Sequence, residues 1–312
     1  MRTRHLLYLY LILLLCLTGC EESLTLEIPE GEALLVVEGH IEQGAPPVVL
    51  LTRSMPVFSG FSPADLEATF VHGAQVVVSS AGIDYPLKEV PAAAFSPELR
   101  RSVSEQYGLP EEQLRNGSNF VFYVYTSDEL LGELGKSYQL RISHEGRVLT
   151  SSTTIPQLNP IDSLWLAPHP DPDKDSLRTL YYRYRDPDTL GNSVRYFTKR
   201  NSEPFYPGLF SSVFTDELIN GAQALSYPLD RGEPKGRDPD LDTYSFFGKG
   251  DTIVVRWTAI DLAHYQFWYT LENERNNNGS PIGSPNTTRS NISGGLGIWG
   301  GYAVTYHRIA VE

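Results

Sequence analysis

Both cysteines of this 312-residue chain, Cys16 and Cys20, lie at its N-terminal end, so nothing beyond position 20 can be stapled by a disulfide. Whatever folds there must rest on a hydrophobic core and its hydrogen bonds. The same stretch accounts for the cysteines. Arg2 and Arg4 form a positive flank, residues 6–17 are an apolar run, and Leu17-Thr18-Gly19-Cys20 spells a lipobox, in which small residues before a cysteine let a signal peptidase close on an extended segment. The run is too short for a comfortable bilayer span of about 20 residues. The pattern predicts a signal peptide over residues 1–19, which takes Cys16 away, and lipid on the Cys20 thiol. Several acyl chains, at about 0.8 kcal/mol per buried methylene, make such an attachment effectively permanent.

Cleavage removes two arginines and no acid, so the formal charge of −13 becomes −15. A surface of that sign repels nucleic acid and anionic headgroups, so no nucleic-acid partner is expected and the lipid, not a basic patch, is expected to hold the membrane. Residues 20–32, with Glu21, Glu22, Glu27, Glu30 and Glu32, read as an acidic tether between the lipid and the first domain. Acids beside the lipidated cysteine resemble the signals that send some lipoproteins to the cell surface, which leaves the surface and periplasmic faces both open.

Beyond the tether the pattern is β. Eighteen tyrosines, 4 tryptophans and frequent turn residues favour strands over a helical bundle. Residues 33–41, 48–52 and 74–79 are apolar runs of strand length, and 119–125 and 137–143 alternate between faces. His144-Glu145-Gly146-Arg147 turns the last of these into 148–155, which predicts a hairpin. Together these segments predict an antiparallel immunoglobulin-like or transthyretin-like β-sandwich over residues 33–156, with an insertion at 91–116 that carries a short helix around 96–107. A proline-punctuated joint at 154–160 leads into a second β-rich domain over 161–312, with strands at 161–166, 180–184, 193–200, 252–260 and 302–311. Asp261 is a good helix N-cap, and Leu262, Tyr265, Trp268, Tyr269 and Glu272 recur at helical spacing, which predicts one amphipathic helix. Residues 203–247 show little periodicity and read as long ordered loops.

The chemistry-bearing motifs are sparse. Gly295-Leu296-Gly297-Ile298-Trp299-Gly300 spells G-x-G-x-x-G, but a dinucleotide site needs a strand before it, a helix after it and an acid about 20 residues on. Here a polar loop precedes and a strand follows, so no cofactor is expected. Asn291, Gly294, Gly295, Gly297 and Trp299 read instead as a fold-defining turn around a buried tryptophan, or as an interface. Asp171, Asp173 and Asp175, and again Asp238, Asp240 and Asp242, alternate as calcium loops do; however, the sixth place holds Ser176 or Thr243 and the twelfth Tyr182 or Lys249. They read as Asp-Pro turns, like Asp186 and Asp188, and no metal is expected. No two histidines lie close enough for a local zinc pair, and His264 reads as a capping or core residue. No G-x-S-x-G or H-E-x-x-H occurs, and no catalytic set is assigned. Carboxylate neighbours such as Asp128 and Glu129, or Asp216 and Glu217, leave open a hydrolase assembled from distant loops. Aromatics at 205–206, 244–247 and 265–269 read as core, with glycan or peptide stacking as the alternative.

Several segments together resemble the lipoprotein family of unknown function numbered 4249, found mainly in Bacteroidota. They are the lipobox at 17–20, Leu35-Val36-Val37-Glu38-Gly39-His40-Ile41, Pro46-Pro47 with Val49-Leu50-Leu51-Thr52-Arg53-Ser54, and residues 290–300 from Ser290 through Trp299 to Gly300. The last is the most specific, and Trp299 stands where the family pattern has phenylalanine. The resemblance implies an outer-membrane lipoprotein whose genes neighbour a TonB-dependent transporter, and it supplies no catalytic residues. The expectation is a noncatalytic binding or adaptor subunit serving such a transporter in nutrient uptake, with a glycan or peptide as possible cargo; the alternative is a surface hydrolase.

Overall fold

The structure, a computed structural model, describes residues 33–54, 67–115, 121–185, 191–215, 225–234, 239–240, 242–277 and 287–312. The expected signal peptide, the tether, Cys20, Asp186, Asp188, Asp216, Glu217 and Asp238 lie outside them.

The alternating segments of the first half pair as two facing sheets. β1 (Leu35–Glu42), β2 (Val48–Arg53) and β5 (Tyr123–Thr126) form one, and β3 (Gln75–Ser80), β6 (Ser137–His144) and β7 (Arg147–Thr154) the other. β4 (Ile83–Pro91) belongs to both, pairing with β3 up to Leu87 and with β5 from Lys88 onward. Period-two alternation sends Val76, Val78, Tyr138, Leu140 and Ile142 inward against Leu35, Val37, Ile41 and Leu51, a continuous buried core. The β6–β7 hairpin closes as its sequence predicts. His144 pairs with Arg147, and Glu145 (φ 48°) and Gly146 (φ 78°) take the two left-handed positions of a type I′ turn.

In the second half, β10 (Ser193–Arg200) and β15 (Thr252–Ile260) run antiparallel, with β11 (Tyr206–Pro207) and β12 (Val213–Thr215) on β10. Against them packs a sheet of β8 (Ser163–Pro168), β9 (Leu177–Tyr184), β13 (Leu225–Leu229) and β14 (Phe246–Gly248). The core between the sheets is aromatic, built from Tyr182, Tyr184, Tyr196, Phe247 and Trp257. Within the stretch expected as loops, 203–247, the chain thus forms β11 to β14, each too short to show a period.

β16 (Leu296–Ala310) ties the halves together. Its first part runs parallel to β1, from Val36 opposite Leu296 to Glu42 opposite Tyr302; its second part runs antiparallel to β15, from Ala259 opposite Ala303 to Thr252 opposite Ala310. One strand therefore serves both sandwiches. The joint expected at 154–160 exists in the chain, but hydrogen bonding passes across it, and residues 33–312 pack as one compact unit. The strand also begins within the glycine segment, earlier than the expected position 302.

β16 joins β10, β15, β1, β2 and β5 in one continuous sheet, and two helices cover the side of it that faces away from the sandwich cores. α1 (Pro97–Tyr107) starts at Ser96, whose Oγ accepts from Leu99 N–H (3.1 Å), and stops at left-handed Gly108. α2 (Leu262–Asn277) starts at Asp261, whose Oδ1 accepts from His264 N–H (2.8 Å). α1 packs with Val48, Phe122 and Val124, and α2 with Ile260, Ile298, Tyr302 and Val304. The buried stripe of α2 is His264, Phe267, Trp268 and Glu272, while Leu262 and Tyr269 are exposed. The inward face keeps Trp268 and Glu272 of the expected set and takes His264 and Phe267 in place of Leu262 and Tyr269; His264 finds a hydrogen-bond partner inside in Tyr302.

Candidate functional site

The glycine segment singled out by sequence is folded between β1 and β7. Asn291 Nδ2 donates to Trp299 O (2.7 Å) and its Oδ1 accepts from Trp299 N–H (2.9 Å), so one amide closes the loop as a strand partner would. Ser293 exchanges both backbone hydrogen bonds with Thr150 of β7. Trp299 is wholly buried, donates Nε1–H to Tyr138 O (3.1 Å) and presses on Gly39, where a Cβ would come within 2.8 Å of the indole. Gly297 (φ 109°) lies so close to β1 that a Cβ would sit 1.8 Å from Val37 O; at Gly294 (φ 84°) it would come within 2.6 Å of Val148 O, and at Gly295 within 2.6 Å of the Leu149 side chain and 2.8 Å of Leu35 O. These contacts pack Asn291, Gly294, Gly295, Gly297 and Trp299 among β1, β7 and β16. Each residue places or admits the strand that closes the first sandwich.

A different set of residues carries the polar chemistry. Period-two alternation turns Glu38, His40 and Glu42 of β1, Arg195 of β10, Arg256 of β15 and Tyr302 of β16 toward the helices. His40, Arg195, Arg256, His264 and Tyr302 are all buried there. Arg256 Nη2 donates to Glu42 Oε2 (2.7 Å); burial works against the guanidinium charge, and Glu42, together with Tyr306 and Glu105, more than offsets it, raising the pKa. Tyr302 Oη accepts from Gln106 Nε2 (3.1 Å) and meets His264 Nε2 (2.8 Å). Burial, helped by Arg256, pushes His40 down to about 3, and burial with the charge of Arg195 pushes His264 well below its ordinary value. Both imidazoles are therefore neutral at physiological pH. They approach the same tyrosine, yet among the described residues no cluster of three His, Cys, Asp or Glu side chains forms a metal site.

Arg195 differs from Arg256 in lacking a carboxylate partner among the described residues. Its Nε donates to Ser212 Oγ (3.2 Å), its guanidinium lies 3.4 Å above the Trp268 ring and 4.7 Å from that of Phe197, and its Nη1 has no hydrogen-bond partner. Ser212 in turn donates N–H (2.8 Å) and Oγ–H to the buried Glu272 of α2. Burial lowers the pKa of Arg195, against the pull of Tyr302, which also shares a hydrogen bond with it, and of Glu272 and Glu38. Two cavities meet at this side chain. One, of about 230 Å³, is walled by Glu38, Tyr107, Phe197, Tyr206 and Trp268; the other, of about 390 Å³, by Gly208, Leu209, Glu233, Glu272 and Arg275.

The other motifs resolve into structure. Asp171 and Asp240 each accept the backbone N–H two residues on, at 3.0 and 3.1 Å, and Lys174 Nζ bridges the two acidic runs by donating to Asp242 O (3.0 Å). Their carboxylates serve as turn caps. Asp128 and Glu129 are exposed at the surface. Of the aromatic stretches, Phe205 and Phe247 are core, Tyr206 walls the smaller cavity, and Tyr265 stacks on the half-exposed Tyr269. Sequence reasoning missed Arg195, Arg256 and His40. The available signal was an arginine inside Val194-Arg195-Tyr196-Phe197 and Val255-Arg256-Trp257, strands apolar on both sides. Charge at such a position marks a sheet face that is polar yet covered.

The fold and site define a mainly β, sandwich-like protein with a covered polar face and ligand-sized clefts at the junction of its halves. The chain belongs to the family described as a domain of unknown function (DUF4249), whose model matches residues 21–308. No curated protein matches it.

Proposed function

We propose that the chain is an outer-membrane lipoprotein that works as a noncatalytic binding or adaptor subunit, accessory to a TonB-dependent transporter in nutrient uptake. The observation that carries this reading is the N-terminal order of Arg2 and Arg4, the apolar run and the lipobox ending in Cys20, followed by an acidic tether and one compact β-rich unit. An anchor of that kind fixes the folded unit beside an integral membrane partner without engaging its own surface. The clefts at Arg195 supply room for a small cargo or for part of a glycan or peptide.

The alternative, a surface hydrolase, draws on Glu233 and Glu272, which line the same cavity. Both carboxylates are already engaged. Glu233 Oε1 takes Nε–H and Nη2–H of Arg231 (2.9 and 2.6 Å), and both oxygens of Glu272 accept from Ser212. Acid–base catalysis needs carboxylate oxygens free to reach a substrate, and Glu233 Oε1 and both oxygens of Glu272 are taken by protein donors. The arrangement supports binding over acid–base chemistry.

The test is a mild-detergent pulldown of the lipidated protein from its native membrane, with Cys20→Ala as control, read by mass spectrometry. The expected result is a TonB-dependent transporter in stoichiometric amount with the wild type only. Absence of any transporter above the control would overturn the adaptor reading.

A further inference from the structure

We infer that the cleft around Arg195 is a binding site for a small monoanionic carboxylate with an aromatic or apolar body. This rests on the binding reading above and names its ligand class. A buried guanidinium costs several kcal/mol to desolvate unless an anion or a full set of acceptors repays it. Arg256, on the same sheet face, leaves its Nε unpartnered but has the Glu42 carboxylate; Arg195 has only hydroxyls, those of Ser212 and Tyr302, and an unpartnered Nη1. It is 2 % exposed, yet it lines both cavities, so the missing acceptor is one that a ligand entering the cleft would bring.

The side chain is held ready for that contact. Stacking on Trp268 and Phe197 fixes the plane of the guanidinium, and the Ser212 bond fixes its Nε edge, so little side-chain entropy is left to lose on binding. The walls select the ligand further. In the smaller cavity Phe197, Tyr206 and Trp268 offer apolar faces to a ring, whereas Glu38, facing no lining cation but Arg195, repels a second negative charge. A monoanionic carboxylate satisfies both conditions, and a phosphate dianion meets the repulsion without using the aromatic faces.

The probes are benzoate, its neutral isostere benzamide, and inorganic phosphate, titrated calorimetrically into the full mature protein in detergent. Benzoate should bind at least about tenfold more tightly than benzamide, the size of a buried charge-assisted hydrogen bond, and phosphate more weakly than benzoate. In Arg195→Gln the preference for benzoate over benzamide should vanish. Equal binding of the two probes, no saturation by benzoate, phosphate binding tighter than benzoate, or a preference that survives in Arg195→Gln would each overturn the assignment. Should Arg195→Gln not fold, the benzoate–benzamide comparison on the wild type still decides. The pulldown above uses none of these probes, so a failure here leaves the partner result standing.

Discussion

Replacing Gly300 by alanine should destabilise the fold through a single side chain, His264. A Cβ at position 300 would sit 1.6 Å from His264 Nδ1 and 1.8 Å from its Cε1, far inside van der Waals contact. Neither partner has room to yield. The imidazole is wholly buried and its other nitrogen meets Tyr302 Oη at 2.8 Å, while Gly300 lies opposite His40 within the parallel β1–β16 pairing. Overpacking a buried site costs about 1–3 kcal/mol. Driving the ring off Tyr302 strands buried polar groups for about 1–3 kcal/mol more. The sum is a large share of a stability of about 5–15 kcal/mol. Urea unfolding followed by tryptophan fluorescence should show the midpoint falling with little change in slope. Removing the ring removes the clash, so Gly300→Ala made in a His264→Ala background should cost under about 1 kcal/mol, a coupling of a few kcal/mol. An unchanged midpoint for Gly300→Ala, or the same loss with and without His264, would refute the argument.

Three further outcomes follow from the same contacts. His40 takes a proton near pH 6.5 when unfolded but only near 3 when folded, so in that window the unfolded chain binds more protons and stability falls as pH drops. His264 is shifted in the same direction, and each histidine should contribute up to about 1.4 kcal/mol of loss per pH unit below 6.5. His40→Gln should flatten the slope of unfolding free energy against pH, and an unaltered slope would contradict it. Trp299→Phe keeps most of the apolar volume but removes the Nε1–H bond to Tyr138 O, and should cost about 1–3 kcal/mol in thermal or urea unfolding. Asn291→Ala deletes both bonds to the Trp299 backbone; hydrogen exchange at the Trp299 amide should accelerate before global stability changes much.

Local signals in the sequence suffice where local physics decides the structure. The β6–β7 hairpin follows from alternation and a Glu145-Gly146 turn, and α1 and α2 begin at Ser96 and Asp261 because those side chains accept exposed helix N–H groups. β4 was hidden because Pro86 and the charges of Asp84, Lys88 and Glu89 read as loop, although the strand needs only Leu87 in the core where it changes sheets. The sharing of β16 was not legible at all. Parallel pairing of residues 36–42 with 296–302 is set by tertiary closure, and no periodicity near either segment encodes it. The buried arginines went unseen for a related reason. A charge in a strand normally faces water, and only the placement of α1 and α2 over that face shows that Arg195 and Arg256 do not. The glycine segment was located from its spelling, while its purpose, admitting Trp299 beneath Gly39 and Gly297 against Val37, rests on distances that spelling does not contain.

The claim that this protein works from a lipid anchor beside a membrane partner stands or falls first at Cys20. Intact-mass and N-terminal peptide mass spectrometry on protein extracted from its native membrane measures this directly. The expected species is a chain that starts at Cys20 and carries acyl chains on that residue, with residues 1–19 gone. A chain that retains Met1, or one cleaved elsewhere and bearing no lipid, would contradict it.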